Sequence, residues 1–284
     1  MDLDVNLDRH LRGSRRLDLT GVEWSHIRDY PLERGEVRCL VYMMDIESHT
    51  MVFLRDLLAT RAVEDPLLTS FLAVWCYEEL WHGEALSRFL GEARIGLEPD
   101  GERPLWDDPY PSRTGRTRWV RRSIRARGRA SHVLSFMGSA LFADFPAIHM
   151  AWGAVNELST MTGYEQLIAR TSNPVLAEML RRVVRDERRH YSFYRVEAER
   201  RLAMSVSARR LTRFALRRLW AIVGTGVRPQ SETDFAVVHL FGDDDGLRAA
   251  RAMDAAVDRL PGLCGLQLFE RARTDALRRC RSSA

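Results

Sequence analysis

The chain has 284 residues, 45% of them hydrophobic, and a formal net charge of only +4. That is enough apolar material for a sizeable core in one globular unit. All 43 basic residues are arginine, the codon habit of a G+C-rich genome, so arginine richness by itself carries no functional weight. The four cysteines, Cys39, Cys76, Cys264 and Cys280, form no CxxC pair, which argues against a zinc ribbon, a rubredoxin site or a disulfide framework. The N-terminal MDLDVNLDRHLRGSRRL has no apolar core of a secretory signal. The most apolar stretch, HVLSFMGSALFADFPAIHMAWGAV, is interrupted by Asp144, Pro146 and His149. A cytoplasmic protein without a membrane span is expected.

Apolar residues recur at three- and four-residue spacing and strand-like alternation is scarce, so the chain reads as all-α. The first helix is expected in GEVRCLVYMMDIESHTMVFLRDLLA, with Glu47 in an apolar context. A second begins in EDPLLTSFLAVWCYEELWH, where Asp65 can cap and Pro66 takes the first helical position. Residues 91–131 are rich in Gly, Pro and Arg and read as a long crossover, with eight arginines and no acid between Arg113 and Arg129. That segment is either a docking site for an acidic partner or a solvated connection.

The pattern then repeats. PAIHMAWGAVNELSTMTGYEQLIAR carries Glu157, and SNPVLAEMLRRVVRDERRH starts on Asn173 and Pro174. Pro66 to Glu79 and Pro174 to Glu187 are both 13 residues, and Glu47 and Glu157 lie 32 and 30 residues upstream of those glutamates. Each half thus reads Glu, then Glu-x-x-His: Glu47 with Glu79 and His82, Glu157 with Glu187 and His190. Residues 205–284 read as further helices, with GTGVRPQ, FGDDDG and LPGLCGL as breaks, and Asp243–Asp245 as a helix cap.

Positions i and i+3 share a helix face, and two packed hairpins would bring four carboxylates and two imidazoles into one buried centre. Bare carboxylates there would be prohibitively costly, whereas two divalent cations would neutralise them. Hard oxygen ligands with one imidazole per metal suit non-haem iron or manganese better than structural zinc. His149, two turns before Glu157, is a candidate extra ligand; His49 is offset from Glu47 by about 200° and is expected to point away.

The set Glu47, Glu79-x-x-His82, Glu157 and Glu187-x-x-His190 resembles the di-iron carboxylate proteins of the ferritin-like superfamily. EELWHGEAL and RDERRH look most like EENRHGDLL and DEKRH of the soluble acyl-carrier-protein desaturases, over about residues 33–200. The resemblance implies a ferritin-like four-helix bundle over residues 1–204 with one long crossover, and a helical extension, 205–284, packed on it. It implies two iron ions, with manganese as an alternative, held by Glu47, Glu79, His82, Glu157, Glu187 and His190. Asp186 would orient a ligand histidine, expected to be His82. Thr160 would either assist oxygen or proton delivery or be a plain helix threonine. Trp24 would be either an aromatic through which electrons enter or a packing residue.

The function implied is an oxygen-dependent di-iron oxidoreductase that desaturates an acyl chain on acyl-carrier protein, with ferredoxin or another electron donor, in a homodimer that binds no nucleic acid. Alternatives are a hydroxylase or N-oxygenase of a small molecule, and a ferritin-like iron oxidase or storage protein. Met43, Met44, Phe71, Trp75, Phe142 and Phe145 are either walls of an acyl channel or core.

Overall fold

A computed structural model describes residue 7, residues 10–93 and residues 138–282. Among them the chain is helical, with no strand beyond one isolated bridge between Thr225 and Arg228. The Arg113–Arg129 stretch and most of the expected crossover lie outside the described residues.

Four long helices come first: α1 (Arg34–Leu57), α2 (Pro66–Glu92), α3 (Phe145–Arg170) and α4 (Pro174–Met204). Their 24 to 31 residues correspond to lengths of roughly 35–45 Å, longer than the diameter of a small domain. Short connections join α1 to α2 and α3 to α4, and the two helices of each hairpin pack along one another. Both proline-led starts behave as their chemistry dictates. The Asp65 carboxylate accepts from the backbone N–H of Leu67 and Leu68, and the Asn173 amide oxygen accepts from that of Leu176. Asn173 also acts away from its own helix. Its Nδ2 donates to the carbonyls of Ile27 and Tyr30 at 2.9 and 2.8 Å, fastening the N-terminal segment to the start of α4.

The core is continuous from Leu40 and Met44 on α1 through Phe71, Leu72 and Leu86 on α2 to Val155 and Leu180 on α3 and α4. On one seam Phe71 stacks on Phe193 at 3.8 Å between ring centroids, and Tyr194 meets Phe71 and Trp75 edge-on.

The C-terminal part adds α5 (Val206–Arg218), α6 (Gln230–Phe241), α7 (Asp244–Asp258) and α8 (Leu268–Ser282). Helix α5 packs on α3 and α4, and α6 packs on α1. Arg38 makes a bidentate pair with Glu232 at 2.8 and 2.9 Å and lies over the Phe235 ring. The Tyr42 hydroxyl donates to the Val223 carbonyl at 2.7 Å, and Arg228 reaches Asp45 at 3.2 Å. Gly224 makes this seam possible: its φ is +89°, and a Cβ there would overlap the Tyr42 hydroxyl. Asp243 caps α7 by accepting from Gly246 N–H at 2.7 Å. No helix among the described residues is long and apolar enough to cross a membrane.

Candidate metal centre

The regular spacing of the four ligand helices delivers Glu47 from α1, Glu79 and His82 from α2, Glu157 from α3, and Glu187 and His190 from α4 into one buried space. Their donor atoms fall into two overlapping groups. One is Glu47, Glu79, His82 and Glu187; the other is Glu79, Glu157, Glu187 and His190, with one donor atom per residue all within 4.8 Å of one another. Glu79 and Glu187 belong to both. His82 Nδ1 lies 3.1 Å from Glu187 Oε1 and 3.6 Å from Glu79 Oε2, while His190 Nδ1 lies 2.9 Å from Glu79 Oε1 and 3.6 Å from Glu157 Oε2. The six residues singled out by the sequence repeat are therefore brought together.

Several of these atoms have no hydrogen-bond partner. His82 Nδ1, His190 Nδ1, Glu79 Oε1 and both Glu187 oxygens are buried and lack a hydrogen-bond partner. Buried polar groups are almost always paired, so a cluster of orphaned lone pairs aimed at a shared space has the character of a ligand set. Two hard divalent cations, each seeing three carboxylates and one imidazole nitrogen, fit it.

The electrostatics point the same way. Burial, reinforced by neighbouring Glu79, raises Glu47 well above the usual carboxylate range, and burial does the same to Glu157. Burial would lower both histidines, but the surrounding carboxylates outweigh it and push them well up. Protons or cations must neutralise so many acids in so little space.

The outer faces of the imidazoles are braced. His190 Nε2 is hydrogen-bonded to Glu78 Oε2 at 2.7 Å, and Asp186 Oδ2 lies 3.5 Å from His82 Nε2, an electrostatic contact longer than a hydrogen bond. Each brace comes from the hairpin opposite its histidine. Arg189 joins the two, donating to Glu78 Oε1 at 2.7 Å and Asp186 Oδ1 at 2.8 Å. Burial would raise both acids, yet the neighbouring histidine and Arg189 hold both below the usual range. Asp186 stands beside His82, where the resemblance puts it. Glu78 is a residue of the cluster that the motif does not name, although each glutamate of the repeat is preceded by an acid: Glu78-Glu79 and Asp186-Glu187.

The remaining glutamates are also held. The Tyr164 hydroxyl donates to Glu47 Oε1, and Trp75 Nε1 donates to Glu157 Oε1 at 3.0 Å. Beyond Glu78 sits His10, its Nε2 3.9 Å from Glu78 Oε2 and its basicity pushed down to about 4 by burial and by the charge of His190. Tyr164 and His10 have no periodic signal to announce them.

Other candidates fall elsewhere. His149 and His49 join neither group. His149 is buried with both ring nitrogens unpaired, 6.1 Å from the Tyr194 ring. Trp24 is half-buried against the core beneath the Arg88 guanidinium, consistent with packing. Of the six residues weighed as channel walls, Met43 alone lines the cavity beside the centre. Met44, Phe71 and Phe145 are buried core, Trp75 is committed to Glu157, and Phe142 is exposed.

That cavity, about 60 Å³, starts at Glu47 and Thr160 and runs between α1, α3 and the C-terminal part. Thr160 thus faces the cavity and belongs to neither donor group. Met43 and Ile46 form one wall, and Ile222, Val223, Ala236, Val237, Leu240 and Phe241 form the other. Its lining is almost entirely apolar.

No protein-family model matches the chain, and no curated protein matches its sequence.

Proposed function

We propose that the protein is an oxygen-dependent di-iron oxidoreductase of the ferritin-like type, acting on an apolar chain, and that this chain is an acyl group borne by a carrier protein. The observation that carries the reading is the pair of donor groups sharing Glu79 and Glu187, each completed by one histidine. Two iron ions so held would supply oxygen activation and the oxidising power needed to cleave an unactivated C–H bond.

The chain's own residues prepare that chemistry. Glu79 and Glu187 stand where both ions would share them, and Glu47 and Glu157 offer one further carboxylate to each. Glu78 holds the His190 imidazole from behind by a hydrogen bond and Asp186 stands behind that of His82, and Nδ1 of each ring faces inward. Tyr164 and Trp75 hold the outer glutamates in place by donating to them. Buried Phe71, Leu86, Val155 and Leu180 belong to the core that surrounds the helices, and such a dry shell protects a strong oxidant from side reactions. In a desaturation, the substrate loses one hydrogen from each of two adjacent carbons. Dioxygen takes these together with two electrons from a donor such as ferredoxin and two protons from solvent, and leaves as two waters.

The apolar lining of the cavity supports an oxidoreductase acting on an apolar substrate over iron storage. An iron-storage protein needs a polar route to the metals, whereas the space at Glu47 and Thr160 is apolar.

Anaerobic loading with ferrous iron, metal analysis, and mass spectrometry of acyl-carrier protein after oxygen and reductant are added test the reading. Two irons per chain and a product lighter by two hydrogens are expected. A product heavier by one oxygen would replace desaturation by hydroxylation, and a chain without stoichiometric iron or manganese would remove the di-metal reading altogether.

A further inference from the structure

Helix α5, which follows the second hairpin, differs from the other helices in its charge. Of α1–α8 it alone contains no acid, while it carries five arginines in VSARRLTRFALRR. Exposed arginines elsewhere are matched one turn away, as Arg181 is by Glu178 and Arg195 by Glu199 on α4. On α5, Arg209 donates to the carbonyl of Leu202 and Arg213 to those of Gly262 and Cys264. Arg210, Arg217 and Arg218 are exposed and form no ion pair among the described residues.

Apolar side chains are interleaved with these charges. Among the described residues the five most exposed large hydrophobics are Met204, Leu141, Phe214, Leu219 and Val206, from 78% down to 54% exposed. Four of them lie on α5 or at its ends, and Ser205 Oγ donates to Asp144 Oδ2 at 3.1 Å, which brings the segment bearing Leu141 to its start. The opposite face of α5 is buried through Ala208, Thr212, Ala215 and Leu216 and packs on α3 and α4. At helical spacing Val206, Arg210, Phe214 and Arg217 therefore form one outward row, roughly 17 Å long.

A cover for this row must accept apolar tips and positive charge together. A second copy of the chain would set three unpaired arginines against three more, and the chain's own Arg113–Arg129 stretch, with eight arginines and no acid, has the same sign. An acidic protein would answer the charge, but it would need a pocket for each apolar side chain on a convex helix. A layer of anionic headgroups over fluid acyl chains needs none: its phosphates pair with the arginines while Phe214 and its neighbours enter the apolar layer. We propose that the outer face of α5, with Met204 and Leu219 at its ends, is a docking surface for an anionic lipid membrane. This surface is independent of the metal centre and goes beyond the activity proposed above.

The test is co-sedimentation of the full-length protein with vesicles of phosphatidylcholine alone or of phosphatidylcholine with about one-third phosphatidylglycerol. At low salt the anionic vesicles should bind at least about tenfold more tightly, and high salt should remove most of that difference. Arg210→Gln with Arg217→Gln should weaken binding to anionic vesicles at least about tenfold, and so should Phe214→Ser with Leu219→Ser. Arg181→Gln with Arg278→Gln, which removes the same charge from α4 and α8, should stay within about twofold of the wild type. Circular dichroism checks that each surface variant is folded.

Equal binding of the wild type to the two kinds of vesicle, or α5 variants that bind as tightly as the wild type, would overturn the proposal. So would binding to acyl-carrier protein but not to vesicles, lost in Arg210→Gln with Arg217→Gln, which would assign the face to an acidic protein. A dimer in analytical ultracentrifugation that binds no vesicles, and that Phe214→Ser with Leu219→Ser splits, would assign it instead to a second copy of the chain.

Discussion

Glu78 Oε2 and His190 Nε2 are 2.7 Å apart, yet they belong to different hairpins, and Arg189 holds the other oxygen of the same carboxylate. A histidine braced in this way keeps its other nitrogen pointed at the metal and gains basicity. Glu78→Ala is expected to lower metal affinity by about 10- to 100-fold, with Glu78→Gln less damaging, because outer partners of ligand histidines typically carry effects of that size. Competition with a chromophoric chelator measures it. Affinity unchanged in Glu78→Ala would mean that the brace does not act on the metal.

The two donor groups make an asymmetric prediction about stoichiometry. Glu79 and Glu187 serve both groups, whereas Glu47 and Glu157 serve one each. Glu79→Ala or Glu187→Ala should leave less than one metal per chain, and Glu47→Ala or Glu157→Ala about one. Metal analysis after gel filtration reads this directly, and uniform losses across all four variants would argue against shared glutamates.

His149 provides a pH signature separate from the metal centre. Burial, together with the positive charge of Arg201, pushes its basicity down from 6.5 to about 4. The folded state therefore resists a proton that the unfolded chain accepts. Its contribution to stability is complete above about pH 6.5 and is lost progressively as the pH falls toward 4. A shift of that size corresponds to a loss of up to about 3 kcal/mol. His149→Phe should flatten this part of the pH dependence in urea unfolding of the same metal-loaded protein; an identical slope in both would refute the assignment.

Gly224 sits where the C-terminal part meets α1. With φ at +89° and the Tyr42 hydroxyl in the place where a Cβ would stand, Gly224→Ala combines backbone strain with overpacking, at a cost of about 3 kcal/mol. Gly226, with φ at +87° and open space around it, should lose only about 1 kcal/mol as Gly226→Ala. Thermal unfolding of the two variants gives the comparison, and equal losses would show that the Tyr42 contact is unimportant.

The residues legible in the sequence are those governed by periodicity. A capping Asp or Asn before a proline, a glutamate 13 residues beyond that proline and a histidine one turn later are local facts, and local geometry sends them inward together. Asp186 becomes visible through resemblance, and Glu78 is within reach because the repeat places an acid before each ligand glutamate. The roles of Tyr164 and Trp75 are not legible, because their hydrogen bonds to Glu47 and Glu157 join residues 117 and 82 positions apart in the chain. The cavity escapes the sequence for a similar reason. Composition points to aromatic residues near the ligand helices, but Phe71 and Phe145 are needed as core, and the opposite wall comes from α6 and the turn before it.

Each histidine is braced from the opposite hairpin, and each donor group takes carboxylates from both hairpins. Neither half of the repeat, taken alone, owns a complete site. Metal bound here would act as a rivet through the α2–α4 seam, so withdrawing it should speed amide hydrogen exchange first along that seam, while the two hairpin turns exchange as before.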